Sequence, residues 1–235
     1  MSSSPQGHSL PGPRYVGRGS SLEPQNRFVS RTRELNLEEL ERQRTDEEES
    51  TSPKLKTRFY EDLSQSIVSE NDSPDLSANF TLNPYRGCEH GCAYCYARPS
   101  HEYLDLNAGI DFETKIFVKL KAAELFRDWI RKQKQNPGFV AISGVTDCYQ
   151  PVERNLELTR SCLKVALEAR LPIRIVTKNK LVLRDLDILH EMASRSLISV
   201  GISLTSLDQS LIRVLEPRTS SPVSPPRSNP PFSRA

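Results

Sequence analysis

The sequence predicts an α/β domain of about four βα units around a parallel sheet or barrel, flanked by two ends that build no core. Two observations predict it. Through the middle of the chain, strand-like and helix-like segments alternate at lengths that suit right-handed βαβ units. Apolar residues make up only 36% of the 235 residues, below the roughly 45–50% of an ordinary globular domain, so part of the chain stays outside a core.

Residues 1–75 are rich in Ser, Pro, Arg and Glu, with an acidic knot at Asp46-Glu47-Glu48-Glu49. They are expected to be largely disordered. Phe80-Thr81-Leu82 begins the ordered part as a strand that leads into a cysteine cluster. Residues 120–135 place apolar side chains at 120, 123, 125, 126 and 130, the stripe of an amphipathic helix. Pro137-Gly138 breaks that helix before a strand over Phe139–Ser143. Leu156, Leu163, Val165, Ala166 and Leu167 mark a second helix, Pro172–Thr177 a strand, Leu181–Ala193 a third helix, Leu197–Ser203 a fourth strand and Asp208–Leu215 a fourth helix. The domain is therefore set at 76–216. Residues 217–235 hold six of the seventeen prolines, which no regular element can accommodate, and form a Pro/Ser-rich disordered tail.

Charge and hydropathy narrow the function classes. The formal net charge is +2, too small for a nucleic-acid-binding field over the whole surface. The most basic stretch, Arg127, Arg131, Lys132 and Lys134, lies on a helix and reads as a solvated face. Apolar runs such as Phe139–Ile142 are far shorter than the roughly 18 residues of a membrane span, so no membrane partner is expected. The N-terminus lacks the pattern of a secretory signal, and five cysteines is an odd count. A cytoplasmic protein with reduced thiols follows as the expectation.

Three of those cysteines, Cys88, Cys92 and Cys95, fall within eight residues as CxxxCxxC, flanked by Gly87 and Gly91. Glycine admits positive φ and lets backbone wrap closely around a bulky inorganic centre. Three thiolates at this spacing can each hold one iron of a 4Fe-4S cube and leave the fourth iron open. The competing reading is structural zinc completed by His90 or His101, weakened by the absence of a second CxxC or a His pair at finger spacing. His90 reads as a donor to a cluster sulfur or as an exposed side chain, and Cys162 as a small core hydrophobe in a helical stripe.

The CxxxCxxC motif, with Tyr94 before its last cysteine, resembles the radical S-adenosylmethionine superfamily. Asn83-Pro84-Tyr85-Arg86-Gly87-Cys88 and Tyr94-Cys95-Tyr96-Ala97-Arg98 are similar to its spore-photoproduct-lyase-like branch, also described as DNA-repair-photolyase-related, over about residues 57–219. The resemblance implies a partial (β/α)6 barrel and a lyase-like enzyme with two cofactors. A 4Fe-4S cluster would bind S-adenosyl-L-methionine at its open iron and cleave it reductively to a 5′-deoxyadenosyl radical. It also implies an electron donor of flavodoxin or ferredoxin type, and leaves the substrate unknown.

Three apolar strands end in polar residues at the edge that carries the cluster loop: Ser143, Gly144, Thr146 and Asp147; Thr177, Lys178 and Asn179; Ser203 and Thr205. Singly, Asn179 and Thr205 read as helix caps; together these groups point to a ligand-binding mouth. By resemblance, Ser143–Asp147 takes the place of the segment that binds the cofactor amine, although Gly-Gly-Glu is absent. Lys178 would pair with the cofactor carboxylate and Ser203 reach its ribose. Tyr94 and Tyr96 correspond to tyrosines associated with radical transfer, or pack beside the cluster with their hydroxyls bonded at the rim. Cys148 lies near, but displaced from, the place of a hydrogen-donating cysteine, where Gly144 aligns.

A complete member would continue past Glu216-Pro217-Arg218 into two further βα units, so four of six strands and an exposed strand edge are expected. The sequence thus allows three readings: a radical S-adenosylmethionine enzyme, a catalytically incompetent metal-binding fragment, and a photoproduct-lyase-type repair enzyme that contacts nucleic acid.

Overall fold

A computed structural model describes residues 18–20, 55–71 and 78–219. Eight strands and six α-helices occur among them: β1 (Arg58–Glu61), β2 (Val68–Glu70), β3 (Phe80–Leu82), β4 (Tyr85–Arg86), α1 (Asp111–Thr114), β5 (Lys115–Val118), α2 (Ala122–Lys132), β6 (Val140–Ile142), α3 (Glu153–Leu156), α4 (Leu158–Glu168), β7 (Ile173–Thr177), α5 (Leu186–Ser194), β8 (Ile198–Ile202) and α6 (Gln209–Leu215). Short 3-10 segments span Arg98–Leu104 and Lys180–Asp185.

The main sheet has the order β2-β3-β6-β7-β8, with β3, β6, β7 and β8 parallel and β2 antiparallel at one edge. Strand residues alternate between faces, and the register converts this into rows. Leu82 lies opposite Ile142 and Ile142 opposite Ile175, while Val140 lies opposite Ile173. All five are essentially excluded from solvent. They join Phe126, Cys162, Leu163 and Met192 from α2, α4 and α5 in one core. Helix α2 packs on α4 and α4 on α5, and Phe80 meets Trp129 edge-to-face at 5.1 Å. The mixed α/β architecture and the order of βα units match the sequence expectation. No closed barrel forms among the described residues: β8 is the last strand of the sheet, and Ile202 is 61% exposed.

Helices α4 and α5 stop in the same way. Arg170 (φ 52°) and Ser196 (φ 56°) turn left-handed, and the next amides, of Leu171 and Leu197, donate to the carbonyls of Ala166 and Met192 at 2.9 Å. This cap absorbs orphan carbonyls and sends the chain straight into the next strand.

The structure departs from a plain βα repeat between β3 and α2. Strands β4 and β5 are inserted there and form a second sheet of order β1-β5-β4, with β1 parallel and β4 antiparallel to β5. The cysteine loop consequently leaves β4 rather than the first strand of the series. The chain bends at Pro84, which has no amide to continue the ladder, and re-pairs at Tyr85 with Val118. Strands β1 and β2 come from the stretch whose composition reads as disordered. Ile67 and Val68 are buried there because β2 completes the sheet edge beside β3. Residues 1–17, 21–54, 72–77 and 220–235 lie outside the described residues.

Candidate active site

In-register parallel strands end together, so the segments after β3, β6, β7 and β8 gather at one edge, and the cysteine loop follows β3 by way of the two-residue β4. Gly87 (φ 82°) and Gly91 (φ 65°) bend the cysteine loop. A Cβ at Gly87 would lie 2.8 Å from His101 Cε1, and one at Gly91 would lie 2.6 Å from Glu113 Oε2. Glycine is therefore required at both for conformation and for space.

Side chains of later elements hold the loop from outside. The Cys88 amide donates to Phe112 O at 3.0 Å. Thr146 Oγ1 donates to Gly87 O at 2.6 Å, Gln150 Oε1 accepts from the Glu89 amide at 3.0 Å, and Glu89 Oε2 accepts from the Val152 amide at 2.8 Å. Arg98 donates twice to Cys92 O, at 2.8 and 3.2 Å, and pairs with the fully buried Glu113 at 2.6 Å.

None of the five cysteines forms a disulfide. Burial, reinforced by the neighbouring Cys88 sulfur, pushes the Cys92 thiol up to about 12, and burial also raises Cys95. Among the described residues, no three His, Cys, Asp or Glu side chains are arranged to hold a single metal ion. Thiolates on a cube each bind a different iron and need not converge on one point. Three adjacent unpaired thiols on a glycine-shaped loop fit such a cluster.

His90 is buried rather than exposed, and its Nδ1 lies 3.3 Å from Asp147 Oδ2 at ion-pair distance without hydrogen-bond alignment. Burial alone would lower its pKa, but the Cys88 sulfur and Asp147 outweigh burial and raise it to about 10. The ring is held in the interior, with Asp147 on its Nδ1 side and Asn179 on its Nε2 side. His101 is remote from this role: its Nε2 lies 2.9 Å from Lys115 O, it packs edge-to-face on Phe112, and burial lowers its pKa. Zinc completed by His101 is not supported.

Thr146 and Asp147 turn inward. Asp147 accepts from the Tyr149 amide at 2.8 Å, Thr177 Oγ1 at 2.7 Å and the Lys178 amide at 2.8 Å. Burial would raise its pKa, but these bonds and His90 hold it below the usual carboxylate range. Ser143 (φ 85°) accepts from the Cys148 amide at 3.1 Å, and Asn83 Oδ1 accepts from the amides of Gly144 and Val145 at 2.9 and 3.1 Å. Together these bonds shape the turn after β6.

Cys148 is fully buried in the main core, where burial raises its thiol well above the ordinary value. Cys162 is the buried hydrophobe that its helical stripe indicates.

At the rim, Lys178 Nζ donates to Ser203 Oγ at 2.8 Å and Thr205 Oγ1 at 3.2 Å, and pairs with Glu216 Oε1 at 2.8 Å. It also stands 5.4 Å over the Tyr94 ring. The Tyr94 hydroxyl bonds Glu216 and Thr205, and that of the exposed Tyr96 bonds Gly144 O. Both tyrosines therefore have bonded hydroxyls at the rim. Asn179 does cap the following 3-10 segment, accepting from the Leu181 amide at 3.0 Å, and also lies 3.2 Å from His90 Nε2. Beside it opens a cleft of about 330 Å3 whose lining includes Arg154, Lys180, Arg218 and no acidic residue.

Sequence reasoning missed Glu113 and Glu216 as site residues, because each acts through partners distant along the chain, and missed Arg98, whose bonds to Cys92 O only the folded loop shows. The strand alternation in Lys115-Ile116-Phe117-Val118 was a usable signal for β5.

The sequence model of the Radical SAM superfamily matches residues 82–223. An uncharacterized protein of Mycobacterium tuberculosis is 38% identical over 167 residues, which cover 70% of this chain and 48% of that protein. One of Methanocaldococcus jannaschii is 32% identical over 140 residues, covering 60% and 49%. The chain spans about half the length of the curated relatives it matches. Among solved structures, spore photoproduct lyase complexed with dinucleoside spore photoproduct superposes with a TM-score of 0.47 at 21% identity, covering 69% of this chain and 44% of that one. The match to the superfamily's sequence model covers more than half the chain and takes in all three cysteines, so the chain belongs to the radical SAM superfamily.

Proposed function

We propose that this chain carries the cluster and cofactor site of a radical S-adenosylmethionine enzyme, with Cys88, Cys92 and Cys95 as ligands of a 4Fe-4S cluster. The observation that carries the reading is the set of three adjacent unpaired thiols on a loop that Gly87 and Gly91 alone can shape. Such a cluster supplies the electron for reductive cleavage of S-adenosyl-L-methionine, received from a small donor of flavodoxin or ferredoxin type.

The chain's own groups bind and orient. Thr146 and Asp147 serve the cofactor indirectly, by fixing the turn after β6 whose backbone faces the cysteine loop. Lys178 and Ser203 offer polar contacts for the carboxylate and ribose ends. Tyr94 and Tyr96 close the rim through their bonded hydroxyls.

Anaerobic reconstitution followed by iron and sulfide counting tests the reading. About four irons and four sulfides per chain are expected, lost when any of the three cysteines becomes Ala and kept in Cys162→Ala. Stoichiometric zinc without sulfide would overturn it. With a strong reductant, 5′-deoxyadenosine detected by mass spectrometry reports the reaction, and a loaded chain that forms none supports the non-catalytic reading.

The basic cleft favours a substrate that bears phosphate, including nucleic acid. Arg154, Lys180 and Arg218 line it from three separate segments, and cations so placed contact phosphate without reading sequence. Fluorescence anisotropy with a labelled oligonucleotide tests this: binding that weakens with salt and is lost in the triple Ala variant is expected.

A further inference from the structure

Glu113, in α1, is completely excluded from solvent yet serves no thiol directly. A buried carboxylate persists only when charge and hydrogen bonds satisfy its oxygens. Arg98 Nη2 supplies the charge, 2.6 Å from Oε1. The other two donors come from far up the chain: the Ser20 amide at 3.0 Å from Oε1 and the Gly19 amide at 3.2 Å from Oε2. Arg18 fastens the same segment, donating to Glu113 O at 2.9 Å and to Leu55 O and Thr57 Oγ1 at 2.8 and 3.0 Å.

This segment lies directly on the cysteine loop. A Cβ at Gly19 would sit 1.6 Å from the Gly91 carbonyl oxygen and 3.1 Å from the Ala93 amide nitrogen. No side chain fits there. From the other side, a Cβ at Gly91 would meet Glu113 Oε2. Two glycines therefore meet at the turn between Cys88 and Cys92, with Glu113 reaching between them. The guanidinium that pairs with Glu113 also holds Cys92 O with two N–H bonds, so the contact continues from residues 18–20 through Glu113 and Arg98 to the second cysteine.

We infer that Arg18-Gly19-Ser20 is a strap built into the cluster site, and that Gly19, Glu113 and Arg98 are positioning residues for Cys92. The strap covers one side of the Gly91–Ala93 turn against water and oxidants and fixes the backbone from which the thiol projects. It deepens the iron–sulfur reading, and rests on it where the cluster is concerned.

The experiment compares the full chain with Gly19→Val, Ser20→Pro, Ser20→Ala and a variant lacking residues 1–20. Both substitutions at residue 20 lose the hydroxyl, and only proline loses the amide donor to Glu113. Hydrogen exchange in the metal-free chains reads the loop: at Cys88 and Cys95, whose amides are hydrogen-bonded at 3.0 and 3.2 Å, exchange should accelerate about tenfold in Gly19→Val, Ser20→Pro and the deletion, and stay within about twofold in Ser20→Ala. Exchange in β6 and β7 should not change, which separates a loosened loop from an unfolded chain. After reconstitution, the first three variants should lose their clusters in air several-fold faster than the parent and show a shifted reduction potential. Unchanged loop exchange in both Gly19→Val and Ser20→Pro overturns the strap, as does an equal effect of Ser20→Ala and Ser20→Pro. A parent chain that takes up no iron and sulfide refutes the cluster reading alone, and the exchange data then decide the strap by themselves.

Discussion

Lys178 has three N–H donors, and Ser203, Thr205 and Glu216 engage them. A cofactor carboxylate can reach this ammonium only by displacing one of the three, and Glu216 is the one of like charge. Burial lowers the Lys178 pKa, but Glu216 and Tyr94 outweigh it and raise it, so the group stays cationic. Glu216 is held below its ordinary value, Lys178, Thr205 and Tyr94 outweighing its burial. Lys178→Ala should therefore weaken S-adenosylmethionine binding to the reconstituted protein at least about tenfold, as expected for a charge-assisted hydrogen bond of about 1.5–3 kcal/mol. Glu216→Gln should instead tighten it, because the competing charge is gone. Isothermal calorimetry measures both, and equal weakening by the two would mean that the ion pair itself shapes the pocket.

Helix ends and the helix–loop junctions set the next scale. At Arg170 the left-handed cap of α4 is occupied by a residue with a Cβ, which costs about 1–2 kcal/mol relative to a right-handed conformation. Arg170→Gly should stabilise the fold by about 1 kcal/mol, seen as a rise of about 2–4 °C in thermal unfolding. Where α3, α4 and the 3-10 segment before α5 meet, Arg184 bridges Glu153 and Asp185 at 2.9 and 2.8 Å, and Arg160 reaches Asp185 at 2.9 Å. Tyr85 and Tyr149 bond the same two carboxylates. Asp185 is buried, yet its arginine and tyrosine partners lower its pKa; its share of the stability is present above about pH 4 and lost as pH falls through the depressed value. Glu153 behaves oppositely: burial raises its pKa despite Tyr85 and Arg184, so stability declines as pH rises from its unfolded value through the folded one. Arg184→Ala should cost about 2–3 kcal/mol at pH 7, less than a fully buried pair because Arg184 is partly exposed. The deficit should shrink toward pH 5 as Glu153, deprived of its partner, takes up a proton. Urea unfolding at the two pH values checks the sign.

Taken whole, the sheet is asymmetric. Helices α2, α4 and α5 cover one face, whereas β8 is the last strand among the described residues and the rim beyond it exposes Val200, Ile202, Leu204 and Leu207. An unpaired apolar edge is a template for association. Ile202→Lys should reduce self-association in light scattering while leaving iron and sulfide content unchanged, since the three cysteines lie on the loop after β4 and not on β8. No helix among the described residues is long and apolar enough to cross a membrane.

Alternation of β-branched and helical segments determined β3, β6, β7 and β8 and the helices between them, because a period of two or 3.6 is written in neighbouring residues. The spacing of Cys88, Cys92 and Cys95 pointed to the superfamily for the same reason: the motif lies within eight residues and needs no distant partner to be recognised. Cys162 was legible as core from its helical stripe. Cys148 was not, since its burial depends on how the turn after β6 folds under Asn83 and Ser143. Only the tertiary structure decided that Lys178 is paired, that His90 is buried against Asp147, and that β4 and β5 carry the cysteine loop. It alone brought Gly19 to Glu113 across 94 residues and Tyr94 to Glu216 across 122. Local periodicity reports which face of an element is apolar, and it carries no information on which remote donor will satisfy a buried charge. That choice is made when the elements pack and each oxygen and nitrogen taken from water must find a partner.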